Sequence, residues 1–128
     1  MVPCTIDYPG KQIAIKKGAL GDVDSQTIFQ YPDNAEGPTV PIRIADRAMQ
    51  VHLDTGSGFG PTLPTRFLSE LPLASQPTDA GTARTRGGEF KVFVASVNGS
   101  IELGKYKLNI NKVRFSDARP GPGPAMEV

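Results

Sequence analysis

The four residues Asp54-Thr55-Gly56-Ser57 are the part of this sequence whose types and spacing could perform chemistry. A carboxylate can activate water when it is held ionised and oriented, and it needs a second acid opposite it to protonate the leaving group. The hydroxyl groups of Thr55 and Ser57 can orient such a carboxylate, and Gly56 lets the backbone approach closely. The pattern predicts a catalytic loop built on Asp54. A turn that ends a strand is the competing interpretation.

Two other chemistries in the same stretch are less well supported by the residues. Glycine recurs at alternate positions from 56 to 60, but Pro61 follows directly and no glycine-rich motif that opens a helix is present. His52, the only histidine, could be drawn into a triad with Ser57, but a strand histidine that faces solvent is the commoner case. Neither a nucleotide loop nor a triad is predicted.

The elements that must position this loop follow from the composition. With 14 Gly, 12 Pro, no Trp and 38% hydrophobic residues, 128 residues suit one domain of short strands joined by turns. We therefore expect an all-β fold.

Charge and cysteine content limit the partners and cofactors. A net charge of +1 implies neither nucleic acid nor membrane as a partner, and no apolar run is long enough to span a bilayer. The single cysteine, Cys4, excludes an internal disulfide and a cysteine zinc site, and the Asp22 and Asp24 pair lacks the glycine and glutamate of a calcium loop. We predict no metal and no cofactor. The compartment is left open, because a leader or membrane anchor outside these residues would not be visible in the sequence.

Several strands and one helix are predicted from local patterns. Residues 12–15, 27–31, 105–110 and 112–115 are expected as short strands. Residues 39–44 alternate in polarity, and 45–47 turn the chain into a second strand that delivers Asp54. Pro41 is expected on the unpaired side of its strand, because it cannot donate to a ladder. A helix is predicted over 65–71, with Thr65 as N-cap.

Two further hairpins are predicted from their turns. The tip Arg86-Gly87-Gly88 separates strand-like segments at 81–85 and 89–94, and Asn98-Gly99-Ser100 separates 94–97 from 101–103. The Pro/Gly-rich tail over 118–128 is expected to form neither helix nor strand. The expected order is strands, one helix, then strands.

This arrangement resembles the single-domain retropepsin-like aspartyl proteases over residues 40–115. The resemblance implies a closed or partly open acid-protease barrel with one short helix, and an aspartic endopeptidase that acts on peptides or proteins. It implies that Asp54 is catalytic and that Thr55, Gly56 and Ser57 support the loop. Arg86, Gly87 and Gly88 would form the tip of a substrate-binding flap over 82–94.

Members of that family pair as homodimers, so that two aspartates share a proton across the symmetry axis. The family's later element, apolar residues and then a glycine opening a helix, has no match here, which implies a domain cut short. The implied organisation is an N-terminal extension (1–38), a protease domain (39–117) and a tail (118–128). A non-catalytic all-β binding or interaction domain is the alternative, because fold alone does not establish activity.

Overall fold

The computed structural model describes residues 4–7, 9–31, 38–54, 60–109 and 112–118, and this part of the chain is all-β. The only helix in it is a single 3-10 turn. The elements are β1 (Cys4–Asp7), β2 (Gln12–Ile15), β3 (Thr39–Ile44), β4 (Arg47–His52), β5 (Thr62–Leu63), the 3-10 helix (Thr65–Leu68), β6 (Thr78–Thr85), β7 (Gly88–Ser96), β8 (Ile101–Leu103), β9 (Tyr106–Leu108) and β10 (Lys112–Ser116). The predicted all-β class is confirmed.

The strands form one two-stranded and two four-stranded sheets. β1 pairs with β2, the second sheet has the order β5-β10-β7-β6, and the third has the order β4-β3-β8-β9. The pairing of β10 with β5 is parallel, and the other pairings are antiparallel. The described strands do not close into a barrel, so the expected retropepsin-like barrel is not confirmed.

One hydrophobic core draws on both four-stranded sheets. Because side chains alternate between the faces of a strand, β3 buries Val40, Ile42 and Ile44 and exposes Pro41 and Arg43 between them. The other sheet contributes residues that include the fully buried Phe115 and Val113. Burial of these side chains is the main stabilising contribution, since apolar area removed from water is favourable at roughly 25 cal/mol per Å².

The predicted hairpin of β3 and β4 is confirmed. β3 and β4 pair from Thr39–His52 to Ile44–Arg47, and Ala45 and Asp46 make the turn between them with φ of 48° and 67°. Two-residue turns of this kind match the twist of the strands. β8 pairs with β3 only at Arg43 and Ile44, so Pro41 lies where β3 has one partner strand, as expected.

The hairpin at the predicted flap is also confirmed, with a tighter turn than expected. Thr85 pairs with Gly88, so Arg86 and Gly87 alone form the connection between β6 and β7. The register shifts between Asp79 and Thr82, which marks a β-bulge in β6.

The hairpin predicted at Asn98-Gly99-Ser100 is wrong. β7 pairs with β6 and β10, whereas β8 pairs with β3 and β9, so the turn carries the chain from one sheet to the other. Tertiary contacts override the local turn preference here: Ala45 N–H donates to the Ser100 carbonyl, and Asn98 N–H donates to the carbonyl of Pro72.

Three shorter predictions also need correction. Residues 27–31 form no strand, because the Asp24 carboxylate binds backbone N–H groups of the 26–28 segment. The helix ends at Leu68 and is of the 3-10 type, with Pro64 rather than Thr65 at the N-cap. The strand expected over 105–110 is confined to β9. Of the Pro/Gly-rich tail predicted over 118–128, residues 119–128 lie outside the described part of the chain.

Candidate interaction surfaces

The loop predicted to be catalytic is described only at its start. β4 leads into Leu53 and Asp54, and Leu53 N–H donates to the Pro38 carbonyl at 2.9 Å. Both side chains are exposed, so neither of them packs in the core. Thr55, Gly56 and Ser57 lie outside the described residues.

The predicted flap tip is an exposed turn with its own local contacts. Gly87 N–H donates to the Thr85 hydroxyl at 3.1 Å, and the Arg84 guanidinium donates to the Glu89 carboxylate across the hairpin. Arg86 and Gly88 are exposed. These contacts stabilise the hairpin itself. A role for the tip in substrate binding stays a prediction.

The N-terminal hairpin formed by β1 and β2 exposes an apolar surface. Cys4 lies opposite Ile15 and Ile6 lies opposite Ile13, which places the four side chains on one face of the ribbon. Ile6, Ile13 and Ile15 are 44%, 71% and 70% exposed, and none of them belongs to the core cluster. We call these four residues the hairpin face. A soluble domain seldom leaves several neighbouring isoleucines in water.

Charged residues surround the hairpin face. Asp7 ends β1 and its carboxylate accepts the Gly10 N–H at 3.0 Å, while Lys11 precedes β2 and Lys16 and Lys17 follow it. The ribbon therefore has an apolar centre and a mostly cationic margin. Apolar centres with polar rims are typical of protein interfaces.

The loop before β3 is fixed by Asp24. Its carboxylate accepts hydrogen bonds from the backbone N–H groups of Ile28, Thr27 and Gln26 and from the Thr27 hydroxyl, at 2.7 to 2.8 Å. These bonds, the one from Ile28 first, hold the pKa of Asp24 well below its ordinary value of 3.8. Asp24, one of the two aspartates compared with a calcium loop, therefore stabilises a tight turn through its carboxylate.

This turn rests on the connection between β8 and β9. Lys105 N–H donates to the Gln26 carbonyl at 3.3 Å, and Gly104, with φ of 55°, lies so close to Gln26 that a Cβ atom there would collide with its backbone. The Lys105 ammonium lies 5.3 Å from the centre of the Tyr106 ring. β9 therefore begins from a well-supported turn.

β9 is an edge strand with exposed apolar side chains. Tyr106 and Leu108 are 52% and 46% exposed and lie opposite Leu103 and Ile101 of β8, on the face that carries the core. Lys107 lies on the other face, opposite Glu102, with 4.0 Å between ammonium and carboxylate. Among the described strands β9 pairs with β8 only. We call residues Tyr106–Leu108 with this open side the β9 edge.

The described residues were also compared with the requirements of a metal cluster and of a membrane-spanning helix. No group of three or more His, Cys, Asp or Glu side chains there could hold a metal ion. The 3-10 turn, the one helix in the same ranges, is too short to cross a bilayer.

Sequence reasoning missed the hairpin face. The strand at 12–15 was predicted correctly, but the short segment from Cys4 to Asp7 was not recognised as its partner. The alternation of Cys4 with Ile6 and of Ile13 with Ile15 was the available signal, and it does not reveal whether a face is covered.

Comparison with known proteins finds similarity to beta-arrestins. The chain is 29% identical over 111 residues to beta-arrestin-2 of Homo sapiens and 30% identical over the same length to beta-arrestin-2 of Rattus norvegicus. The matches cover 83% of this chain and 26% of each relative, so the chain spans about a quarter of the length of these curated relatives. No protein-family model matches the chain.

These similarities correct the peptidase interpretation. The matched proteins are beta-arrestins and not aspartyl proteases, and the predicted retropepsin-like membership and aspartic endopeptidase activity are therefore wrong. The predicted peptide substrate and the predicted catalytic homodimer rested on that family resemblance and are not supported either. The predicted site residues are not tested by these comparisons and stay predictions. They are Asp54, Thr55, Gly56, Ser57, Arg86, Gly87 and Gly88.

Proposed function

We propose that this chain is a non-catalytic all-β interaction domain that binds another protein through the hairpin face. The observation that carries the proposal is the exposure of Ile13 and Ile15, at 71% and 70%, directly beside Cys4 and Ile6. The similarity to beta-arrestins supports a protein partner and a role without catalysis.

Energetics favour an occupant on the hairpin face. A two-stranded ribbon alone is only marginally stable in water, whereas a partner that covers one face adds the packing that it lacks. Burial of Ile13 and Ile15 would contribute about 2 to 4 kcal/mol, because complete burial of such a side chain is worth roughly 1.5 to 3 kcal/mol.

We also infer a β-sandwich arrangement for the two four-stranded sheets. Support comes from the core cluster, which combines residues of both sheets such as Ile42 and Phe115, and from the similarity to beta-arrestin-2. We propose that the N-terminal hairpin belongs to an extension over residues 1–38, and that residues 39–117 form the domain to which it is attached.

Site-specific photo-crosslinking tests the interaction. A benzoylphenylalanine is introduced at position 13, on the hairpin face, or at position 12, on the opposite face of the same strand. We expect a discrete protein adduct from position 13 and none from position 12 in the native cells. The captured protein is then purified, and its affinity for the wild type and for Ile13→Lys is compared.

The proposal requires Ile13→Lys to weaken that affinity by at least about tenfold, equivalent to 1.4 kcal/mol, with an unchanged thermal unfolding midpoint. Equal adducts from both positions would contradict it, as would an affinity that Ile13→Lys does not change. An adduct with twice the mass of the chain would identify a second copy as the occupant and also contradict it.

A further inference from the structure

The two four-stranded sheets have four edge strands, and they differ in chemistry. β4 and β9 are the edges of one sheet, and β5 and β6 are those of the other. β5 has two residues, β6 is interrupted by its bulge and largely polar, and β4 begins with the exposed pair Arg47 and Ala48. Only β9 among these described edges exposes two large apolar side chains. An added strand would therefore gain most apolar contact at β9.

The side chains of the β9 edge present a three-residue pattern. Tyr106 and Leu108 extend the apolar face of the sheet beyond Ile101, which is 3% exposed, while Lys107 projects from the opposite face. A segment that pairs with β9 would place its own side chains opposite these three in turn. The best complement is an apolar residue, then an acidic one, then an apolar one.

We propose that the β9 edge binds an extended segment of a partner protein as an added strand, with apolar residues opposite Tyr106 and Leu108 and an acidic residue opposite Lys107. Backbone hydrogen bonds along the open edge supply affinity in this mode, and alternate side chains supply specificity. The turn beneath β9 is held in place by the contacts of Lys105 and Gly104 with Gln26, which lowers the ordering cost of binding.

Two other occupants fit the β9 edge less well. A second copy that added in antiparallel register about Lys107 would place lysine opposite lysine, and like charges directly opposite each other are destabilising. A lipid surface could cover Tyr106 and Leu108, but it offers no hydrogen-bond partners for the open side of the strand. The acidic, extended polypeptide is the occupant that satisfies both the charge and the backbone.

A synthetic peptide tests this site separately from the hairpin face. The probe is a fluorescent, end-blocked Ser-Thr-Val-Glu-Val-Thr-Ser peptide, whose dissociation constant is measured by anisotropy at low salt. We compare wild type with Lys107→Glu, and we use Lys91→Glu as a matched control. Lys91 is also an exposed strand lysine, 4.0 Å from the carboxylate of Asp79, as Lys107 is from that of Glu102.

We expect Lys107→Glu to weaken binding about tenfold, because an attractive cross-strand pair becomes repulsive, and Lys91→Glu to leave it unchanged. A peptide with Lys in the central position should show the reverse preference. N-methylation of the central glutamate together with both valines removes every peptide N–H that could pair with β9 and should abolish binding. Equal affinity of wild type and Lys107→Glu, unaltered binding of the N-methylated peptide, or no binding at millimolar peptide would each overturn the proposal. Binding of the chain to anionic vesicles without binding to the peptide would overturn it in favour of lipid. The crosslinking at position 13 is unaffected by any of these results.

Discussion

The carboxylate of Asp117 accepts hydrogen bonds from both the backbone N–H and the hydroxyl group of Thr65, at 2.9 and 2.5 Å. Asp117 follows β10, and Thr65 is the first residue of the 3-10 helix. The helix has no side-chain cap of its own, so a residue distant in sequence satisfies its first N–H group. This contact ties the helix, and Phe67 with it, to the end of β10.

Replacement of Asp117 by Ala should lower the free energy of unfolding by about 1 kcal/mol, the usual cost of a lost helix cap. Urea denaturation followed by circular dichroism measures the change. Asp46→Asn is the control, since the Asp46 side chain is 95% exposed and its nearest cationic atom, on Arg43, is 3.9 Å away. Equal midpoints for Asp117→Ala and the wild type would show that the contact does not support the fold.

Gly104→Ala should destabilise the protein by about 2 kcal/mol or more, because the new Cβ atom would collide with the Gln26 backbone. The positive φ of Gly104 adds a second cost, and Gly104→Asn separates the two, since asparagine tolerates this backbone conformation. We expect both variants to be destabilised in thermal unfolding. A near-normal Asn variant would mean that conformation, not collision, requires glycine.

Asp24 should keep its charge to lower pH than its ordinary value of 3.8 implies. A depressed pKa in the folded state means that its stabilising effect is complete above the unfolded value, near pH 4, and is lost as pH falls through the folded value. Carboxyl carbon NMR shifts measure the titration, and the Ile28 amide proton reports the loss of its bond to Asp24. In Asp24→Asn the amide should show no such transition. A midpoint at 3.8 would contradict the prediction.

Ile13→Ala should change the free energy of unfolding by less than about 0.5 kcal/mol, whereas Ile42→Ala should cost roughly 2 to 5 kcal/mol. The residue types are the same, but Ile13 is 71% exposed and Ile42 is 4% exposed. Chemical denaturation of both variants provides the comparison. A large loss for Ile13→Ala would place the hairpin face in the stabilising core and remove it as a binding surface.

Asp54→Asn should leave the behaviour of the protein toward peptides unaltered. A non-catalytic domain cleaves no denatured protein substrate between acid and neutral pH, so the wild type and the variant should both be inactive. Mass spectrometry of the incubated substrate detects even slow cleavage. Products that appear with the wild type and vanish with Asp54→Asn would restore an enzymatic role.

Local turn chemistry made part of the fold predictable. Ala45 and Asp46 join strands that are neighbours in sequence, and the same is true of Arg86 and Gly87, so short-range preferences and polarity alternation were sufficient there. These two hairpins depend on residues only a few positions apart. The all-β class followed from the composition, which favours short strands joined by turns.

Features set by distant residues were not predictable in this way. Asn98 and Gly99 have the composition of a hairpin turn, but β8 pairs with β3 and not with β7. Likewise, the chemistry of Asp54 drew attention to one loop, whereas the hairpin face is recognised only when the exposure of Ile13 and Ile15 is known. Alternation identifies the apolar side of a strand, and tertiary structure decides whether anything covers it.

The passage of the chain between sheets at Asn98 and Gly99 has a consequence for how the protein folds. The pairs β3–β4, β6–β7 and β8–β9 are each closed by short turns, and such hairpins form within microseconds. The β3–β8 pairing instead joins segments roughly sixty residues apart, so the entropy of closing that long loop is lost before its contacts are gained. We therefore expect the joining of β8 to β3 to limit the refolding rate, with Ile44 and Ile101 among the last core residues to acquire native contacts.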